Sequence, residues 1–309
     1  MDSQGVKSTR TGRAETAQKG GIVTAKQRKI PDFQFAMRIV LTARRVILKL
    51  EHKENRMTAI PYPSYRQPAS HPLPDAGRAR IALGVAALDQ RLGGGLPRAA
   101  LHEIYAGSDR DAAAASGFTF IIAGLAAASR CMILVRERRR HRSAGDVYAP
   151  GLAAFGIDPS QLFLVDAPDS LAALRACADI ARCRAVGAVV IALSGQTPAY
   201  DLTASRRLML AAAETQVTTL LLWHGCTPRT SAAHSRWQVT SAAAAPLDAD
   251  APGAAVFDVR LLRLRGGMDG FQARLAWDQS HGVFAATLSG GGAAVAAGGT
   301  AGSSWRRAA

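Results

Sequence analysis

The sequence predicts an α/β fold: a mostly parallel sheet flanked by helices, with an antiparallel extension towards the C-terminal end. Three observations carry this expectation. Of the 309 residues, 48% are hydrophobic and only 6% aromatic, and a composition dominated by Ala, Leu and Val suits helices layered on buried aliphatic strands. Apolar runs alternate with helical periods through the middle of the chain, which is βαβ repetition with right-handed crossovers. Beyond Trp223 the rhythm changes to strand-like runs joined by short connections.

In chain order, residues 1–56 form a basic arm expected to be disordered, with thirteen Lys or Arg against five Asp or Glu. Within it only FAMRIVLTARRVILKL could make one short amphipathic helix. Met57 opens a more ordinary start, so the arm reads either as a nucleic-acid or membrane-surface tail or as translated upstream sequence without a selected function. Residues 57–80 hold five of the fourteen prolines and read as an extended, polyproline-like leader. The globular domain is expected over 81–288. Strands are expected at 100–106, 131–137, 161–167, 187–193 and 217–223, and helices at 112–129, 145–155, 169–185 and 200–214. In the third of these helices Leu171, Leu174, Cys177, Ala178 and Ala181 share one face, opposite Arg175, Asp179 and Arg182. Further strands are expected at 234–240, 255–265, 271–277 and 282–288, with GGMDG (266–270) as a turn, so the antiparallel extension is placed from about 234. Residues 289–309, mostly Gly, Ala and Ser, read as a flexible tail.

The net charge is +15, but +8 of it lies in the arm, so basicity alone is weak evidence of a nucleic-acid partner. Cys131, Cys177, Cys183 and Cys226 form no CxxC or CxxH pair, so no zinc site is expected and the thiols read as reduced, in a cytoplasmic protein. No apolar stretch reaches the roughly 20 residues of a membrane span, and the N-terminus lacks the apolar core of a secretory signal.

The most informative segment is LGVAALDQRLGGGLPRAALHEIYAG (83–107), which leads into a strand ending in Glu-Ile-Tyr-x-Gly. It resembles the start of the ATPase core of RecA-like proteins. The next strand, CMILVRER, places Glu137 where that superfamily places its catalytic glutamate. Within the superfamily the chain is similar to the ImuA-like group of inducible-mutagenesis proteins. The shared phrases are GLPRAALHE (95–103), VRERRR (135–140), YAPGLAAFGID (148–158), LTASRRLMLAA (202–212), SRWQV (235–239) and RLLRLRGG (260–267). The resemblance implies a RecA-like fold and a DNA-damage-induced (SOS) protein. It also implies partners: a Y-family polymerase-like mutagenesis protein, an error-prone replicative DNA polymerase and RecA.

A phosphate loop works through Gly-rich backbone N–H groups, a Lys for the β and γ phosphates and a hydroxyl for Mg²⁺. The corresponding stretch is GSDRDAAAASGFT (107–119). Aligned on its two glycines, Gly107 and Gly117 have nine residues between them instead of four, Phe118 stands where Lys belongs, and only Thr119 keeps its expected type. Asp109 and Asp111 would each repel a phosphate about 4 Å away by roughly 4 kcal/mol at an effective dielectric of 20, whereas as helix N-caps they are favourable. The strand GAVVIALSG (187–195), which should end in a second metal-organising acid, offers Ala192, Leu193 and Ser194. Glu137 without a phosphate cradle is vestigial. A degenerate loop that binds no ATP, Mg²⁺ or other cofactor is therefore expected.

Glu103 beside His102 reads as structural, because adjacent strand residues point to opposite faces. Arg136, Arg138, Arg139 and Arg140, with Arg142, form a basic run past a strand's C-terminal end, where they could meet DNA phosphates or an acidic partner, or be a solvated turn. Arg236 and Trp237 are a second candidate interaction pair, with a core-edge Trp as the plainer reading. Three functions follow: a non-catalytic adaptor in SOS-induced translesion synthesis and mutagenesis; a DNA-dependent RecA-like ATPase, supported only by Glu137 and Thr119; and a cell-division inhibitor resembling SulA. Direct DNA contact is left open.

Overall fold

A computed structural model describes residues 57–59, 80–137, 147–247, 253–267 and 270–286. The elements are β1 (Met57–Ala59), β2 (Arg80–Ile81), α1 (Ala86–Arg91), β3 (Leu96–Pro97), β4 (Leu101–Ala106), α2 (Ala112–Ala127) and β5 (Cys131–Glu137). They continue through α3 (Ala149–Ala154), β6 (Leu162–Ala167), α4 (Ser170–Ile180), β7 (Val186–Ser194), α5 (Leu202–Thr215) and β8 (Thr218–His224). The last strands are β9 (Ser235–Ser241), β10 (Val256–Leu264), β11 (Gln272–Asp278) and β12 (Val283–Ala286). Short 3₁₀ turns at Asp109–Asp111 and Pro159–Gln161 precede α2 and β6.

Ten strands form one sheet in the order β1-β6-β5-β7-β8-β4-β9-β10-β11-β12. The six from β6 to β9 are mutually parallel, and β10, β11 and β12 continue antiparallel. This is the expected α/β class: a mostly parallel sheet flanked by helices, with an antiparallel C-terminal extension. One boundary moves. The strand expected to open the extension at about 234, β9, runs parallel to β4, so antiparallel pairing begins at β10. The ten non-helical residues 225–234 carry the chain back along the sheet, and at about 3.3 Å per residue they are long enough to traverse a strand without a crossover helix. At the opposite edge Met57–Ala59, within the stretch read as a leader, pairs antiparallel with β6.

The nearly continuous apolar strands are explained by burial on both faces. On one face α2 packs against Ile104, Leu134, Val190, Leu222, Trp237 and Phe257. Its partner β7 supplies Gly187, where a Cβ would lie 2.5 Å from the Ala127 backbone, so only glycine allows the end of α2 to sit this close. On the other face α4 and α5 cover Val135, Val189, Leu221 and Trp223. Both helices begin at aspartate caps: Asp169 accepts from the Ala172 N–H and Asp201 from the Ala204 N–H. In α4 the buried residues are Ala173, Leu174, Ala176, Cys177 and Ile180. Leu171, expected on that face, is exposed in the first turn.

The four cysteines are free thiols, and burial raises Cys131 to about 11. Among the described residues no cluster suits a metal and no helix is long and apolar enough to cross a membrane.

Candidate functional site

The C-terminal edge of the parallel strands, where α/β sheets bind ligands, is formed here by the ends of β4, β5, β7 and β8. Strand β4 ends at Ala106, and Gly107 begins the loop that leads to α2. The loop is only five residues long, because helix forms at once in the alanine-rich run and α2 starts at Ala112. This corrects the alignment on two glycines. Counting a G-x-x-x-x-G-K-[ST] frame from Gly107 places Ala112, Ala113 and Ala114 where glycine, lysine and the hydroxyl would stand. Gly117, Phe118 and Thr119 belong to the second and third turns of the helix, inside the core.

Their surroundings explain them without a ligand. A Cβ on Gly117 would meet the Phe155 ring at 3.2 Å and the Phe257 ring at 3.4 Å. Phe118 is fully buried against Trp237, Phe257 and Phe284, with ring centroids 5.5–6.0 Å away. Thr119, also fully buried, spends its hydroxyl on the Ala115 carbonyl at 2.7 Å.

The loop is tied to β9 instead. Gly107 donates its N–H to the Val239 carbonyl, and its missing Cβ would lie 2.3 Å from the Thr240 methyl. Asp111, expected as a helix N-cap, makes no capping bond to α2. Its Oδ1 accepts from the backbone N–H and the hydroxyl of Ser241 at 2.8 and 2.9 Å, and its Oδ2 from the Ser108 hydroxyl at 2.6 Å. The Ser108 bond, reinforced by those from Ser241, lowers the pKa of the carboxyl. Asp109 lies in the 3₁₀ turn, exposed.

Beside the first turns of α2 opens a groove of about 430 Å³, lined by Ala113, Ala114, Gly117, Phe155, Pro246 and Phe257 among others, all Ala, Gly, Phe, Pro or Val. It offers phosphate no cation. Ala192, Leu193 and Ser194 do end β7, and Glu137 is the half-buried last residue of β5.

The candidate interaction residues fare differently. Arg136 is not available as a surface cation: it is buried, and its Nε sits 2.6 Å from Asp166, its cross-strand partner on β6. Arg138, Arg139 and Arg140 lie outside the described residues. Arg236 and Trp237 are corrected from interaction pair to interior, because β9 is flanked by β4 and β10 and so is no edge. Trp237 is 1% exposed, and its indole N–H donates to Ser235. Arg236 Nε lies 2.7 Å from Glu103 Oε2, and its Nη2 donates to the Ser231 hydroxyl at 2.8 Å. Tyr200 donates to the other Glu103 oxygen at 2.5 Å, and burial, with Glu103 close by, pushes the pKa of the Tyr200 phenol up. Sequence reasoning read Glu103 as structural but did not find its partners. The available signal was a carboxylate in the middle of a short strand between apolar residues.

On the opposite face of β4, burial lowers His102 to about 4. The ring is therefore neutral at pH 7. Its Nε2 lies 3.0 Å from the Pro97 carbonyl, which can only accept, so Nδ1 accepts from the Ser235 hydroxyl at 2.7 Å.

No protein-family model matches the chain. Over 204 residues it is 32% identical to Protein ImuA from each of two strains of Caulobacter vibrioides, an alignment spanning 62% of this chain and 80% of each relative. Among solved structures, the RadB recombinase superposes with a TM-score of 0.45 at 14% identity, covering 65% of this chain and 97% of that one. On the identity and coverage of those curated relatives, the chain belongs to the ImuA family.

Proposed function

We propose that this ImuA-family chain is a non-catalytic, RecA-like adaptor in SOS-induced translesion synthesis and mutagenesis. It brings together a Y-family polymerase-like protein, an error-prone replicative polymerase and RecA, in the cytoplasm and without bound ATP. The observation that carries the reading is the phosphate-loop frame, in which Ala112, Ala113 and Ala114 occupy the positions of glycine, lysine and hydroxyl. Three methyl groups replace the backbone approach, the charge and the metal ligand on which phosphoryl transfer depends. The Asp111–Ser241 bonds support it further, since they engage the loop's carboxylate with β9.

Affinity capture of the tagged chain from DNA-damaged cells of its source organism tests the adaptor role. Recovery of the polymerase-like protein, unchanged when ATP is depleted, is expected. Capture of a division GTPase instead would favour the SulA-like alternative, and ATP-dependent capture would favour a motor.

A further inference from the structure

We infer that the face of the antiparallel extension opposite its core side binds the phosphodiester backbone of duplex DNA. In the parallel half, α4 and α5 cover the sheet on this side. Beyond α5 they end, and among the described residues no helix lies over β10 and β11. Strand alternation separates the two faces: Phe257, Val259 and Leu261 of β10 and Leu275 and Trp277 of β11 are buried against the core, while Arg260, Arg263, Gln272 and Arg274 are exposed on the other side.

The exposed side chains form a cationic surface with hydrogen-bonding flanks. Arg260 pairs in register with Gln238 on β9 and Gln272 on β11. The register shift after Leu261 turns Arg263 to the same side, next to Arg236. Arg265 follows, and its guanidinium reaches Met209 on α5 at 3.9 Å, which joins the patch to the exposed Arg206 of that helix. Among the described residues, the carboxylates on this face are already engaged. Asp258 is held by Arg274 through two 2.7 Å bonds, and Asp278 by Ser280 and His281. Arg260, Arg263 and Arg265 have no carboxylate partner among the described residues.

The chemistry of the face selects its ligand. A protein interface is anchored by buried aromatic or aliphatic side chains, and single strands are held by bases stacked on aromatic rings; the exposed side chains of β10 and β11 include no aromatic. What remains is charge with amide donors, which suits the sequence-independent phosphate contacts of a duplex.

The test is titration of a fluorescein-labelled mixed-sequence duplex with the full chain across a salt series. Arg260→Gln/Arg263→Gln/Arg265→Gln is compared with an equally charged control, Arg175→Gln/Arg182→Gln/Arg184→Gln, on and just beyond α4. The patch variant is expected to bind at least about tenfold more weakly at low salt, with a log–log salt slope shallower by about 2 to 3. The control is expected to stay near wild type in slope and affinity, and exposed-site changes should leave both folded. Equal losses in both variants, or none in the patch variant, would overturn the inference. So would wild-type binding to polyglutamate as tight as to the duplex, which would assign the face to an acidic protein. The readout is DNA affinity of purified protein, so its failure leaves the adaptor reading to be judged separately by partner capture.

Discussion

Asp111 and Ser241 close the loop after β4: one carboxylate oxygen accepts both the backbone N–H and the hydroxyl of Ser241, at 2.8 and 2.9 Å. The pair joins the start of α2 to the end of β9. Asp111→Ala leaves the Ser241 N–H without its acceptor, and a loss of about 1–3 kcal/mol is expected in urea denaturation. Asp111→Asn keeps one acceptor oxygen and should lose less. Neither variant should gain nucleotide binding, because Ala113 still offers no cation.

Glu103 and Arg236 form an ion pair between neighbouring strands in the interior, with side chains 0% and 11% exposed. Breaking such a pair leaves a desolvated charge. Arg236→Leu or Glu103→Leu alone is expected to cost about 3–5 kcal/mol, while the Glu103→Leu/Arg236→Leu double should recover part of the loss, the Tyr200 and Ser231 hydroxyls still lacking their partners. Chemical denaturation of the two singles and the double checks the cycle.

Phe118→Lys restores the residue type that an alignment on two glycines would demand. The site is the fully buried centre of a ring cluster, so an uncompensated charge there should unfold the domain or cost at least about 3 kcal/mol. No ATP affinity should appear. A folded variant that binds nucleotide would show that Phe118, not Ala113, faces the phosphate site.

His102 contributes to the acid limb of stability. Its folded pKa is about 4, lowered chiefly by burial, against about 6.5 unfolded. As pH falls below 6.5 the unfolded chain takes a proton that the folded chain refuses. The contribution is therefore complete above pH 6.5 and declines by up to about 1.4 kcal/mol per pH unit towards pH 4. Burial lowers His224 and His234 as well, with the same sign, whereas Asp111, whose pKa is lowered, loses its contribution only at more acid pH. Urea melts between pH 7.5 and 4.5 should show the decline, flattened in His102→Gln.

The alternation of apolar runs and helical periods made the parallel sheet legible: β5 is found at 131–137, as its apolar run implied, and β4, β6, β7 and β8 shift by no more than a residue at either end. The direction of β9 was not legible, because a ten-residue non-helical crossover looks like a local turn when only its length is read. In the loop after β4 the sequence alone supports an alignment that the structure overturns. By spacing to Phe-Thr alone Gly117 reads as the loop's second glycine, and what cancels that reading is three-dimensional: the helix begins five residues earlier and Gly117 makes room for Phe155 and Phe257. Trp237 was ambiguous for a related reason, since a Trp beside an Arg has the same sequence at an interface as in a core. Its burial follows from β10 pairing on its far side.

Thermal melting of the purified full chain with and without Mg-ATP tests most directly whether this α/β core works without nucleotide. A ligand bound only by the folded state at 100 times its Kd adds about 2.7 kcal/mol, which for a domain of this size is a rise of roughly 5–10 °C. No shift is expected, for the wild type or for Asp111→Ala. A shift of several degrees that is abolished by a bulky substitution at Ala113 would contradict the emptied phosphate-loop frame and return the protein to the nucleotide-dependent motors.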